Sequence, residues 1–263
     1  MKTIEVKNIS KIYSDAFQEL HVLDNISFDV NSEDFICILG CSGCGKSTLL
    51  RCMTGLDHPT SGAIYSDGIQ MLEPSISNAI VFQTLDQLLP WKTLGQNVMY
   101  PLERKKYGDN NKCKFRAKEY LEMVGLKSFF DYYPHQLSGG MKQRGAIARA
   151  LATQSKTIFM DEPFGSLDWE TRNNIYKELV NIWRNLKITI VFITHNLDEA
   201  IFLANRIIVL SNLPAHIKKE IENPVEGDRS PNNKGYAEFR NLLSECMQTN
   251  SKNSSISSYE NMV

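Results

Sequence analysis

The run Gly40-Cys41-Ser42-Gly43-Cys44-Gly45-Lys46-Ser47 follows the spacing G-x-x-x-x-G-K-[ST] in full. The chemistry those residue types suit is the grip of a polyphosphate. Glycines let the backbone curl so that successive N–H groups converge on phosphate oxygens. A helix opening where the loop ends adds a partial positive charge aimed the same way. Lys46 is placed to reach the β- and γ-phosphates, and the Ser47 hydroxyl to ligate Mg²⁺. Gly40 through Thr48 form the candidate binding set. A glycine-rich turn that merely precedes a helix would not need the Lys-Ser pair. The loop by itself implies nucleotide binding, and neither the base nor the purpose.

A second group is the acidic pair Asp161-Glu162, which closes the apolar run Thr157-Ile158-Phe159-Met160. Carboxylates there can hold the shell of a divalent cation (Asp161) and polarise an attacking water (Glu162). Adjacent strand residues point to opposite faces, so both serve one site only if the chain turns at the pair. Pro163 supports such a break. The alternative is a pair of solvated surface carboxylates. His195 ends a third apolar run, Ile188 to Thr194. Ligands of open α/β sheets sit at the carboxyl ends of strands. Lys46, Asp161, Glu162 and His195 all fall at such ends, which favours a site over a structural histidine.

These groups need elements to carry them. Phe35 to Leu39 is continuously apolar, as expected of a strand buried on both faces. A helical pattern runs from Lys46 to Thr54 and stops at Gly55. Residues 1–83 read as β-rich, with alternation at Ile4-Glu5-Val6 and Ile26 to Val30. Strand signals vanish from about Leu85 to Ser155, where Lys112 to Val124 forms a helix stopped by Gly125. This stretch is expected to be a helical subdomain inserted in the core. Beyond it come a strand at 157–160, a helix near 169–186, a strand at 188–194, a helix near 197–204 and a last core strand at 206–210. Such alternation implies a mainly parallel sheet. One domain is expected over 1–248, with a disordered Ser/Asn-rich tail at 249–263.

At 263 residues and 42% hydrophobic, the chain can bury a real core. Its net charge of -1 gives no footprint for nucleic acid and no polybasic block for a membrane. The start, Met-Lys-Thr-Ile-Glu-Val, shows no signal peptide, and no apolar run reaches bilayer length. A cytoplasmic location is expected, with any membrane association made through a partner. The six cysteines show no zinc spacing. Cys41-x-x-Cys44 superficially resembles a redox pair but lies inside the glycine-rich loop.

Leu137-Ser138-Gly139-Gly140-Met141-Lys142-Gln143-Arg144 resembles the signature of ABC ATPases, and Asp161-Glu162 follows seventeen residues after Arg144. Other motifs of that family agree in order: Gln83 in Val-Phe-Gln as the Q-loop, Ser166-Leu167-Asp168 as the D-loop and His195 as the switch histidine. Tyr13 stands where the family places an aromatic that stacks on adenine. The resemblance covers roughly residues 1–240. It implies a P-loop NTPase (RecA-like) α/β core with an N-terminal antiparallel β subdomain and an inserted α-helical subdomain. It also implies ATP and Mg²⁺, with Ser47, Gln83 and Asp161 about the metal and Lys46, Glu162 and His195 in catalysis. Two such domains would join head to tail, each ATP meeting Ser138, Gly139 and Gly140 of the second copy, with Asp168 in the binding set.

Asp161 to Asp168 is similar to the DEPFGALD form of importer ATPases, with Ser166 in place of Ala, and exporters more often carry Thr where Phe164 stands. Leu88-Leu89-Pro90-Trp91-Lys92-Thr93 resembles a segment of the nitrate/sulfonate/taurine importer group. Those side chains either pack the helical core or meet the permease. Asn212 to Ile217 departs from that group, where a basic stretch is usual. The partners implied are transmembrane permease subunits, a second ATPase subunit in a homodimer, and indirectly a solute-binding protein, at the cytoplasmic face of the membrane. An exporter ATPase or a non-transport ABC ATPase remains the alternative.

Overall fold

The computed structural model describes residues 2–15, 18–165, 169–225, 227, 229, 231 and 233–248. The Ser166-Leu167-Asp168 motif and the tail at 249–263 lie outside the described residues. In chain order the strands and helices begin with β1 (Lys2–Ser14), β2 (Glu19–Asn31), β3 (Phe35–Leu39), α1 (Lys46–Met53), β4 (Ser61–Ser66) and β5 (Ile69–Gln70). Then come β6 (Asn78–Val81), α2 (Leu94–Arg104), α3 (Asn110–Met123), α4 (Gly139–Ala152), β7 (Thr157–Asp161) and α5 (Trp169–Leu186). The chain continues with β8 (Thr189–Thr194), α6 (Leu197–Leu203), β9 (Arg206–Leu210), β10 (Ile217–Glu222) and α7 (Lys234–Gln248).

Two compact units divide the chain. One comprises residues 31–35 and 73–192; the other comprises 2–30, 36–72 and the chain from Ile193 on. In the second unit the strand order β2-β1-β4-β5 forms a small sheet, antiparallel between β1 and β4 and between β4 and β5. Its register slips between Lys7 and Ser10. Gly62 sits opposite that slip at φ 86, where a Cβ would lie 2.3 Å from the Asn8 carbonyl oxygen. Only glycine fits so close an approach. The unit also holds β3 from Ile36 on, a strand whose five residues are all buried; it pairs parallel with β9.

The sheet does not end at β9, where the apolar pattern stops. β10 adds an antiparallel edge, Ile217 beside Leu210 through Glu222 beside Arg206. Ile217-Lys-Lys-Glu-Ile-Glu is polar and half exposed, as an edge strand is when water covers one side. That is why its apolar signal is weak.

In the other unit β6 and β7 pair parallel, Asn78 with Thr157 to Val81 with Met160, and β8, which belongs to this unit as far as Phe192, neighbours β7. Three helices, α2, α3 and α4, pack on one another. Each starts at a side-chain cap: Thr93 with Gln96 in a reciprocal capping box on α2, Asp109 on α3 and Ser138 on α4. Gly125, at φ 67, ends the α3 segment as its type predicts.

Asn97 of α2 is wholly buried. Its Oδ1 accepts from the Leu89 N–H at 2.7 Å, and its Nδ2 donates to the carbonyls of Leu89, Lys92 and Thr93 at 3.0–3.1 Å. One amide thus fixes the Leu88–Thr93 segment. Leu88 is buried, Leu89 is half-buried and Trp91 is 70% exposed. Core packing therefore explains Leu88 and not Trp91. An Asn97→Leu variant leaves three carbonyls and an N–H without this partner, and is expected to lose about 2–4 kcal/mol of stability. Urea unfolding checks it; a loss below about 0.5 kcal/mol would remove the clamp.

Candidate functional site

The glycine-rich loop runs from the end of β3 into α1. Gly43 lies at φ 76 and Gly45 at φ 104, and Gly45 forms the N-cap in the left-handed region. A Cβ at Gly45 would stand 2.9 Å from Val22 Cγ1, so both the backbone angle and the packing require glycine there. Lys46 is 4% exposed, and its ammonium donates to the carbonyls of Gly40 at 3.0 Å and Cys41 at 2.8 Å. The loop is thus wrapped round its own cation. Ser47 is exposed and Thr48 half-buried. A curled backbone at a helix start, with no acidic side chain in the first turn, suits an anion.

Cys41 is exposed and Cys44 buried, and both are free thiols. A Cβ at Gly40 would meet Cys44 Sγ at 2.7 Å. Burial pushes the Cys44 thiol up, against the pull of Lys46. Buried against Gly40, the Cys44 side chain forms the floor of the loop. Among the described residues no cluster of His, Cys, Asp and Glu could hold a metal ion by itself.

Tyr13 is 40% exposed. Its phenol donates to Asp57 Oδ2 at 2.6 Å, while Lys11 donates to Asp57 Oδ1 at 2.7 Å. The Lys11 ammonium also lies 4.7 Å from the Tyr13 ring centroid, a cation–π contact. Burial would raise the Asp57 carboxyl, but the bonds from Lys11 and Tyr13 outweigh it and hold the carboxyl low. Burial and the Asp57 bond together raise the Tyr13 phenol. Nothing local in the sequence marked Asp57, which lies 46 residues from Lys11 and 44 from Tyr13 along the chain.

The acidic pair lies in the other unit. β7 ends at Asp161, and Glu162 takes φ 41, a left-handed conformation uncommon outside glycine. The turn that the pair requires therefore begins at Glu162 itself, before Pro163. Both carboxylates are half-buried. The Gly165 N–H closes the turn on the Glu162 carbonyl at 3.4 Å. A Cβ at Gly165 would lie 3.8 Å from Gln83 Nε2 and equally far from that carbonyl, so Gln83 and the turn are neighbours. Phe164 is buried, its ring stacked on Phe192 at 5.7 Å and edge-on to Tyr176 at 5.4 Å. Its identity is a matter of core packing.

Ser138 caps α4 by accepting from the Met141 N–H at 3.3 Å; it is exposed, and Gly140 is buried. A Cβ on Gly139 would meet Leu85 at 3.2 Å. Three residues outside the predicted set tie this helix to the segment around Gln83. Gln87 Nε2 donates to the carbonyls of Phe82 and Thr84 at 2.9 Å and to Gln143 Oε1 at 3.3 Å. Gln143 is fully buried and donates to the Phe82 carbonyl at 3.4 Å. Arg149 donates to the Gln87 carbonyl at 2.5 Å, and burial lowers its guanidinium below the usual arginine value. Gln143 stands beside the signature in sequence, but its partner is 56 residues away.

His195, just past the end of β8, lies in the second unit and is exposed. With Cys41 it lines a cavity of about 380 Å³. The phosphate loop, Tyr13 and His195 thus share one unit, and Gln83, the signature and Asp161-Glu162 share the other.

A buried strand, a glycine loop with φ above zero and a lysine buried within it define a P-loop nucleotide-binding protein. The family described as ABC transporter matches residues 23–165. The aliphatic sulfonates import ATP-binding protein SsuB of Bacillus cereus is 42% identical over 90% of this chain and 93% of its own. The nitrate import ATP-binding protein NrtD of a Synechocystis strain is 43% identical over 89% of this chain and 87% of its own. A dimeric structure of a post-hydrolysis state of the ATP-binding cassette MJ0796, bound to ADP and Pi, superposes with a TM-score of 0.74 at 32% identity, covering 84% of this chain and 99% of that one. The chain belongs to the ABC transporter family, as an ATP-binding subunit that hydrolyses ATP. Its fold is that of an ABC ATPase cassette. No described helix is long and apolar enough to cross a membrane.

Proposed function

We propose that this chain powers solute import, in a transporter of the sulfonate or nitrate kind, by closing as a homodimer on two ATP molecules. The observation that carries the reading is the identity of 42–43% to SsuB and NrtD over about nine-tenths of each chain. Phe164 adds little, being a core ring. One ATPase domain over 1–248, with 85–155 as its helical subdomain, is the organisation proposed. Transmembrane permease subunits hold it at the cytoplasmic face, and a solute-binding protein acts indirectly; no nucleic acid takes part.

Tyr13 stacks on adenine, with Lys11 on its ring face and Asp57 fixing its hydroxyl. Gly40 to Thr48 grip the phosphates, Lys46 reaching the β and γ groups. Ser47, exposed in the first turn of α1, and Asp161, half-buried after β7, are hard oxygen donors of the kind Mg²⁺ takes, with Gln83 beside them in role. That ion supplies charge neutralisation at the phosphate oxygens. Glu162 polarises the attacking water and His195 contacts the γ-phosphate side. Ser138, Gly139 and Gly140, at the N-terminus of α4, meet the γ-phosphate held by the second copy, with Asp168 contributing at the same junction.

The test is transport by the chain reconstituted with its permease in vesicles, with ATP on the side of the ATPase. Uptake of an alkanesulfonate or nitrate driven by ATP is expected, together with specific ATPase activity that falls on dilution as dimers separate. ATP-driven efflux would overturn import. Activity per molecule unchanged at all dilutions would overturn the dimer.

A further inference from the structure

The segment that bears His195 is braced from two sides. On the inner side Thr194 Oγ1 accepts from the Asn196 N–H at 3.0 Å and donates to the buried Glu199 carboxylate. Asn196 then caps α6, its Oδ1 accepting from the N–H groups of Asp198 at 2.8 Å and Glu199 at 3.4 Å. On the outer side the carboxylate of Asp198 is gripped by α7. Asp198 Oδ1 accepts from the Tyr236 hydroxyl at 2.6 Å and from Arg240 Nε at 2.8 Å.

The grip has fixed ends. The last carbonyls of α6 receive Asn223, which donates to Ile201 and Ala204 at 2.7 and 2.8 Å, and Arg229, which donates to Ala204 at 2.7 Å. At the far end of α7, Lys218 donates to the carbonyls of Cys246 and Met247 at 3.0 and 3.2 Å. The last turn of α7, through Ser244, Met247 and Gln248, walls the same cavity that Cys41 and His195 line. One helix therefore holds the carboxylate three residues after His195 and also faces the histidine.

We propose that Tyr236 and Arg240 are positioning residues for His195, acting through Asp198. The inference rests on the reading of His195 given under the proposed function. Asp198 and Arg240 are half exposed, and an ion pair in water holds little by itself. The Tyr236 phenol makes the difference: it is buried, so it gives the shared carboxylate a donor that water does not compete for. Burial, with the bond to Asp198, raises that phenol far enough that it stays a donor throughout the working pH range.

The test compares Tyr236→Phe, Arg240→Gln, both together and Asp198→Asn in the full chain, by steady-state ATPase. Tyr236→Phe removes a hydroxyl and no packing, so it guards against a simple folding loss. The double variant is expected to lose about tenfold in kcat, within the range that small misplacement costs, with KM for ATP within about twofold. Asp198→Asn should match it, and adding the double variant to Asp198→Asn should cost nothing more. Arg240→Lys should restore part of the rate lost with Arg240→Gln. Mass spectrometry after diethylpyrocarbonate treatment should show His195 modified faster in the double variant, a change that a loss of stability elsewhere does not produce. Wild-type kcat in the double variant, or an equal loss with Asp198 absent, overturns the positioning role. If His195→Ala hydrolyses ATP normally, the reading of His195 fails instead, and the two failures are distinct.

Discussion

Replacing Glu162 with Gln is expected to lower ATP turnover by about 10²-fold or more, the scale of losing a general base, while ATP still binds. The amide keeps the size of the side chain and removes its ability to draw a proton from water. Glu162 stands at φ 41 where the chain leaves β7, so its carboxylate is aimed by the turn rather than by strand alternation. Asp161 is untouched, which separates the hydrolytic step from nucleotide binding. Phosphate release measures the first, equilibrium dialysis with ATP the second. The variant should also persist as an ATP-dependent dimer in size-exclusion chromatography. Near-normal turnover would remove Glu162 from its role, and turnover lost together with binding would make it a binding residue.

Lys46→Ala should act one step earlier. The ammonium is almost wholly buried and holds the carbonyls of Gly40 and Cys41, so the side chain both charges the loop and ties it shut. Losing a desolvated charge opposite a phosphate costs about 2–5 kcal/mol, so ATP affinity is expected to fall roughly 10²-fold. Thermal melts with saturating ATP give a second reading: the wild type rises in Tm, since a ligand of the native state stabilises it, and the variant does not. Lys46→Arg keeps the charge but not the compact head that the two carbonyls surround, and should recover little. Affinity within threefold of wild type in Lys46→Ala would show that the backbone N–H groups alone hold the phosphates.

What could be read along the chain was what is written locally. The five apolar residues of β3, the loop spacing at 40–47 and the apolar runs of β7 and β8 are contiguous, and the elements fall within a residue or two of their predicted limits. The turn at Asp161-Glu162 was inferred from alternation, but its left-handed residue was not, because Glu carries no preference for positive φ. Bonds between distant residues were invisible: Tyr13 with Asp57, Gln87 with Gln143, and Asp198 with Tyr236 and Arg240. β10 escaped because an edge strand needs few apolar residues, and α7 because no motif marks it. Phe164 shows the limit from the other side: the family marker was legible in the sequence, but not that its ring packs on Phe192 and Tyr176.

The tie between α4 and the loop at 82–87 has a mechanical side. Gln143 and Arg149 of the helix attach the loop through three hydrogen bonds, to Phe82 and to Gln87. Three such bonds leave the two no hinge between them, so the loop and the helix that begins after Ser138 form one stiff piece. In such a piece the joint at Gln87 is where compliance would enter, since two of the three bonds meet there.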